Sequence, residues 1–433
     1  MKLTKLGALV AGAVLAFGAC SSGSTPSPVA SVAPASGGSS PAASAAGNIN
    51  VKIGIELPMT GGEAPNGVPT ANGVALALSQ LSVPGFNITI EQEDDAVNGK
   101  HNANQGATNI QTLANDSSVL FVVGPFNSNV AQAEIPVSNG AGLMQCSPAN
   151  TAVSLTKGPS AVTLRPTNPT KIAYVRVATT DDNQGAAGAD IAYNIVGAKT
   201  AYVLDDTQTY GKGLADGFTT AYTTLGGKIL KRDGVPDSTT DFTSYVTTAQ
   251  GLNPAYVFYG GVTTSGLGLF RHQMAQQGIA NIPFGGGDGI NDGSAATASS
   301  FLNIAGPAGD MNTYSTVAAI HDIPNAGAFT AAYKAKFNTD PGAYSAPAYA
   351  CTQVFLAALK AVSPGVTDLA ALREAVRAYV ADPSHKYDTV LGSVGFDANG
   401  DTTQHTISYY KFDPTTKDWA FFKQRDFTAD PIK

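Results

Sequence analysis

The chain has 433 residues, 43% of them hydrophobic and 13% charged, with a mean hydropathy of +0.01 and a formal net charge of −7. That length accommodates two domains of ordinary size, each with a sizeable core. No Lys/Arg block or basic aromatic stripe occurs, so nucleic acid is excluded as an expected partner.

The first segment reads as a targeting signal. Lys2 and Lys5 precede the apolar stretch Leu6 to Phe17, which is too short to span a bilayer comfortably, and the small residues Gly18 and Ala19 stand just before Cys20. Residues 1–19 are therefore expected to be a lipoprotein signal peptide and Cys20 the lipidated residue. The alternative is an ordinary cleaved signal followed by a chance cysteine. Residues 20–48, "CSSGSTPSPVASVAPASGGSSPAASAAGN", have no charge, no aromatic residue and no period. Such a segment cannot bury enough surface to offset its chain entropy and is expected to be a flexible tether. The body is then anchored by lipid on the extracytoplasmic face of the cell membrane. Once Cys20 is set aside, Cys146 and Cys351 remain as an even pair in an oxidising compartment, either bridged or buried as two thiols.

From Val51 the pattern alternates. "VKIGIELP" predicts a strand, "TANGVALALSQL" a helix, "NITIEQED" a strand, "NANQGATNIQTLAND" a helix and "VLFVVG" a strand. After Gly124-Pro125 the segment Asn127-Ser128-Asn129 opens a further helix, and "AGLMQCSP" holds a short strand. The alternation restarts with a helix at "DNQGAAGADIAYNIVG" and a strand at "KTAYVLDD". It continues as helix "YGKGLADGFTTAYTTLG", strand "GKILKRDGV", helix "FTSYVTTAQGL", strand "PAYVFYGG", helix "TSGLGLFRHQMAQQG" and short strand "IPFGGGDG". Helices are expected near 326–337, 346–362 and 368–380. The stretch from Gly392 to Lys423 reads as an antiparallel meander added to one sheet. Strand–helix alternation with short connections predicts an α/β fold of parallel sheets covered on both faces.

Ligands of such sheets sit beyond the carboxyl ends of the strands. The residues of interest are therefore 58–62, 125–128, 147–151, 205–210, 260–264 and 286–289. None forms a catalytic constellation. His101, His272, His321, His385 and His405 lack metal-ligand spacing, no Gly-x-Ser-x-Gly elbow occurs, and no glycine-rich loop ends in Gly-Lys-Ser/Thr. Neither a cofactor nor a metal is expected, and strand-end carboxylates read first as turns and caps.

The stretches "VKIGIELPMTGGEAPNG", "EQEDDAVNGKHNA", "VVGPFNSNVAQAEIPV", "GLMQCSPANT", "RVATTDDNQGAAGADI", "VLDDTQTYGKGLADGF", "VFYGG" and "FGGGDGIND", in this order, carry a resemblance over nearly all of 50–425. The chain resembles the type I periplasmic binding proteins of branched-chain amino acid ABC transporters, in lipoprotein form. The resemblance implies two doubly wound lobes joined by three crossovers near 179, 314 and 391. The N-terminal lobe would be 49–179 plus 314–391, and the C-terminal lobe 180–313 plus 392–433. It also implies a monomer that captures an aliphatic or related amino acid by hinge closure and delivers it to a membrane permease, without enzymatic activity. A ligand carboxylate would sit at the helix start on Ser128, beside Asn127, and on Ala149 and Thr151. Free amides and the helix dipole make such a start an anion site. Asp288, where the family usually has Glu, would hold the ligand ammonium, and Tyr210 would close over it. Aromatic residues expected in the family at Asn66 and Val262 are absent, and "SLTKGPSAVTLRPTNPTKIAY" lengthens the approach to the first crossover. A binder of an amide, a urea or a small carboxylic or aromatic acid is the alternative, followed by an extracellular enzyme or a sensor ectodomain.

Overall fold

The computed structural model describes residues 48–366, 368–429 and 432. The segments expected to be a signal peptide and a tether, with Cys20, lie outside the described residues up to residue 47.

The first sheet is all parallel. Its strands are β1 (Ile49–Leu57), β2 (Phe86–Asp94), β5 (Val119–Val123), β6 (Met144–Ser147) and β7 (Tyr174–Arg176), in the order β2-β1-β5-β6-β7. A small hairpin, β3 (Ala96–Val97) with β4 (Lys100–His101), hangs from the end of β2. The second sheet repeats the same winding. It contains β8 (Thr200–Asp205), β9 (Lys228–Gly234), β10 (Tyr256–Gly260), β11 (Phe284–Gly286) and β12 (Thr313–Val317). Its order is β16-β15-β12-β11-β10-β8-β9, extended antiparallel by β15 (Thr406–Asp413) and β16 (Asp418–Asp426).

Helices cover both faces. They are α1 (Ala64–Gln80), α2 (Ala103–Asn115), α3 (Ser128–Ala141), α4 (Gly158–Thr163), α5 (Asp181–Asp190), α6 (Thr209–Thr224), α7 (Thr243–Leu252), α8 (Leu267–Gln276), α9 (Phe301–Asp310), α10 (Ala326–Phe337), α11 (Ser345–Val362) and α12 (Leu369–Ala381). The central strands β5 and β10 are buried along their whole length, which is why they read as continuous apolar runs and not as alternations. Several helix starts follow local capping chemistry. Asn102 accepts from the amides of Asn104 and Gln105 at 3.0 Å each, and Asp368 accepts from Ala371 at 2.7 Å. Helix α11 is buried on most of its circumference and lies against α1 so closely that a Cβ at Gly73 would come within 2.1 Å of the Ser345 carbonyl. Cys351 on α11 is bonded to Cys146 on β6, with the Cα atoms 5.7 Å apart, which pins this returning helix to the first sheet.

The chain passes between the sheets three times. The first passage runs through 177–180. The second starts only after Val317, because β12 pairs in parallel with β11 in the second sheet, so the expected passage near 314 falls a few residues late. The third runs through 397–405 and not near 391. The segment read as the first strand of the meander instead forms a separate hairpin, β13 (Lys386–Thr389) with β14 (Gly392–Gly395), and buries Val394 and Phe396 in the first core. Where the first and third passages meet, Arg176 is fully buried and its Nε donates to Asp401 Oδ1 at 2.8 Å.

Candidate functional site

In each sheet the first and third strands run side by side while the connections leave in opposite directions. This is the topological switch point at which open α/β sheets bind ligands. In the first sheet it lies between β1 and β5, and in the second between β8 and β10. The loops leaving these four strands meet. One cavity is lined by Gly62, Glu63 and Asn66 after β1, Phe126 to Asn129 after β5, Asp206, Gln208 and Tyr210 after β8, and Val262 to Thr264 after β10. Ala149 and Thr151 after β6 and Asp288, Gly289 and Asp292 after β11 complete it, with His101 from the small hairpin. Asn66, Asn127, Ser128, Ala149, Thr151, Tyr210, Val262 and Asp288 are thus all brought to one cavity from two lobes. Cys146 and Cys351 are not among its lining residues.

On the side of the first sheet the cavity meets a helix start, a place where backbone amides can receive an anion. No side chain caps the first turn of α3, so its leading amides face outward with the positive end of the helix dipole. Ser128 is 2% exposed, and its Oγ accepts from the Ala152 amide at 3.3 Å and, among the described residues, gives its proton to no acceptor.

Across the cavity, Asp288 is buried. Gln184 and the Tyr210 hydroxyl both donate to its Oδ1, the latter at 2.8 Å. Burial pushes the Asp288 carboxyl up, and the bonds from Gln184 and Tyr210 oppose that rise. Burial likewise lifts Asp206 to about 6 and Asp292 to about 7. Glu63, Asp206, Asp288 and Asp292 stand on the cavity wall, and His101 is the cationic side chain among the lining residues, paired with Glu63.

The sequence reasoning missed a pair on the wall of the cavity, Glu63 with His101. His101 Nδ1 lies 2.6 Å from Glu63 Oε1, and the two side chains are 9% and 7% exposed. Burial opposes the Glu63 charge, yet His101, with hydrogen bonds from Thr264 and Asn127, holds the carboxyl down at about 2. Burial also opposes the His101 cation, and the facing Glu63 charge outweighs it, so the imidazole is raised. Glu63 also crosses the cleft, because Thr264 Oγ donates to its Oε1 at 2.7 Å. Asn129 to Gln208 at 3.3 Å, Thr209 to Gln132 at 2.8 Å and Lys100 to the Asp237 carbonyl at 3.1 Å close the lobes over the cavity. An acid in the loop after the first strand was the available signal for Glu63. His101 lies on a two-residue strand that carries no local signature.

A family model described as periplasmic binding protein matches residues 50–417. The Leu/Ile/Val-binding protein homolog 1 of Brucella melitensis biotype 1 is 30% identical over 374 residues, covering 84% of this chain and 91% of that protein. The crystal structure of a leucine binding protein from Thermotoga maritima superposes with a TM-score of 0.72 at 24% identity, covering 86% of this chain and 98% of that one. A solute binding protein of an ABC transporter from R. palustris, in complex with benzoate, superposes with a TM-score of 0.69 at 19% identity, covering 87% and 96%. The fold of these structures is the fold described above. Among the described residues no helix is long and apolar enough to cross a membrane, and no group of side chains is arranged to hold a metal ion.

Proposed function

The chain belongs to the periplasmic binding protein family, and from that premise we propose that it captures an amino acid-like zwitterion in the cleft and hands it to an ABC permease. It acts as a monomer tethered to the membrane through lipidated Cys20. The carboxylate sits at the start of α3, on Ser128, Ala149, Thr151 and the free amides. The ammonium sits on Asp288 under the Tyr210 ring. Closure is a population shift, since contacts to both ligand charges exist together only when the lobes meet. No bond is broken, and no cofactor takes part.

One observation carries the reading. An uncapped helix start on one lobe and a buried carboxylate on the other border the same cavity, so the two lobes can meet the opposite charges of one small molecule. Each charge of the ligand is then paired away from water, where an unpaired charge would be costly. Branched-chain amino acids, the ligands in the names of the relatives, are the first to test. The wall offers them Val262, Phe126 and Tyr210 among many amides, hydroxyls and carboxylates.

A small carboxylic acid without an amine is the second reading. It is favoured by the direction of the Asp288 shift, because a carboxyl raised by burial can be neutral and then needs no cation. Thermal-shift and calorimetric screening of the purified protein separates the two. Amino acids at millimolar concentration are expected to raise the melting temperature, as ligands that bind only the native state do. Stabilisation by benzoate-like acids and by no amino acid would replace the first reading with the second.

A further inference from the structure

Asn127 stands at the N-cap of α3, where an Asn side chain ordinarily accepts a hydrogen bond from a first-turn amide. Here it caps nothing. Its Nδ2 instead donates to Glu63 Oε2 at 2.9 Å. The amide is not free to face the other way. An ionised carboxylate only accepts hydrogen bonds, and the His101 contact at 2.6 Å keeps Glu63 ionised, so the group turned to it is the NH2. That leaves Oδ1 with no partner among the described residues, on a residue that is 7% exposed and lines the cavity. Buried amide oxygens are almost always paired, so a donor from the cavity's occupant is the missing partner.

We propose that Asn127 Oδ1 accepts a hydrogen bond from the ligand's side chain, and that the site selects amino acids bearing a hydroxyl, amide or amine there over aliphatic ones. The inference rests on the zwitterion reading above but concerns a different part of the ligand. Glu63 and His101 are positioning residues. Glu63 takes the NH2 end of the amide and His101 pairs with Glu63, which together turn Oδ1 away from the carboxylate. The polar neighbours Asn66 and Thr264 suit the same kind of ligand.

Calorimetry on the full chain with two matched pairs tests this, L-threonine against L-valine and L-asparagine against L-leucine. Threonine and valine have the same shape and differ by a hydroxyl for a methyl. Threonine and asparagine are expected to bind more tightly than their aliphatic partners by about ten-fold or more, since a site built to hydrogen-bond a group rejects the analogue lacking it. Asn127→Leu should abolish or reverse that preference. Should the leucine variant not fold, Glu63→Gln reads the same point as a ratio, because an amide at 63 lets the Asn127 amide turn over and should shrink the threonine-over-valine preference, on top of the loss both ligands share from the weakened Thr264 bond across the cleft. Valine and leucine binding as well as threonine and asparagine to the unaltered protein would overturn the proposal and leave the zwitterion reading intact. A threonine preference that survives in Asn127→Leu, or equal losses for threonine and valine, would overturn it as well. Failure of every amino acid to bind would overturn both readings at once.

Discussion

Replacing Asp288 by Asn tests the ammonium site with little disturbance of the fold. The amide oxygen keeps an acceptor for Gln184 and for the Tyr210 hydroxyl, which lies 2.8 Å from Oδ1, so what is lost is charge. Asp288 is 8% exposed, and its partner ammonium would be as well enclosed. Opposite charges 4 Å apart attract by about 4 kcal/mol at an effective dielectric near 20. Removing one member of a buried pair costs about 3–5 kcal/mol. Affinity for an amino acid should therefore fall by about 100- to 4,000-fold, while affinity for the same molecule without its amine should fall little or rise. Threonine and 3-hydroxybutanoate, titrated calorimetrically against both proteins, give the comparison. A pH arm follows from the raised Asp288 carboxyl. In the free protein the group holds a proton to higher pH than an exposed carboxyl, and a bound ammonium expels it. Amino acid affinity should rise with pH through that raised pKa and then level off, with proton release visible as a dependence on buffer ionisation heat. Asp288→Asn should remove both effects. Equal losses for threonine and 3-hydroxybutanoate would refute the assignment.

Thr264→Val removes a bond to an ionised carboxylate across the cleft, worth roughly 1.5–3 kcal/mol, so ligand dissociation measured by stopped flow should quicken about ten-fold or more; an unchanged off-rate would show that the Glu63 contact does not hold the lobes together. Replacing Cys146 and Cys351 by Ala opens a loop whose ends are 205 residues apart and should cost about 5 kcal/mol of unfolding free energy in the chain-entropy account; two free thiols in the mass spectrum of unreduced protein would exclude the bridge itself. Burial raises Glu56 to about 7, so the native state holds its proton more tightly than the unfolded chain. The stability this confers is complete below about 4.5 and is lost as pH rises to about 7, and a urea midpoint that does not fall between pH 4.5 and 7 would contradict it. Cys20→Ser should release the protein from the membrane or trap its precursor, and a variant still membrane-bound at its normal mass would rule out the lipid anchor.

What the sequence determined by itself is the winding and the rim of the site. Val119–Val123 and Tyr256–Gly260 declare themselves as buried strands because parallel strands covered on both faces carry apolar side chains continuously. Once the strands are known, the stretches after their ends follow, 125–128, 147–151, 205–210 and 286–289 among them, since ligands gather at that edge of such sheets, and the family resemblance singled out Ser128, Ala149, Thr151, Tyr210 and Asp288 within them. Strand Thr313–Val317 escaped because its Thr and Ser side chains imitate a loop, although they are paired and enclosed in the second sheet. Residues 392–395 alternate like their successors, and only packing against the first core assigned them to a hairpin of their own. The Glu63–His101–Thr264 link could not be read locally. Its members are 38 and 201 residues apart, and the charge of each depends on burial that exists only when both lobes are folded and touching. Periodicity is a property of neighbours along the chain, whereas the protonation of Glu63, the orientation of Asn127 and the cradle around Asp288 are properties of neighbours in space.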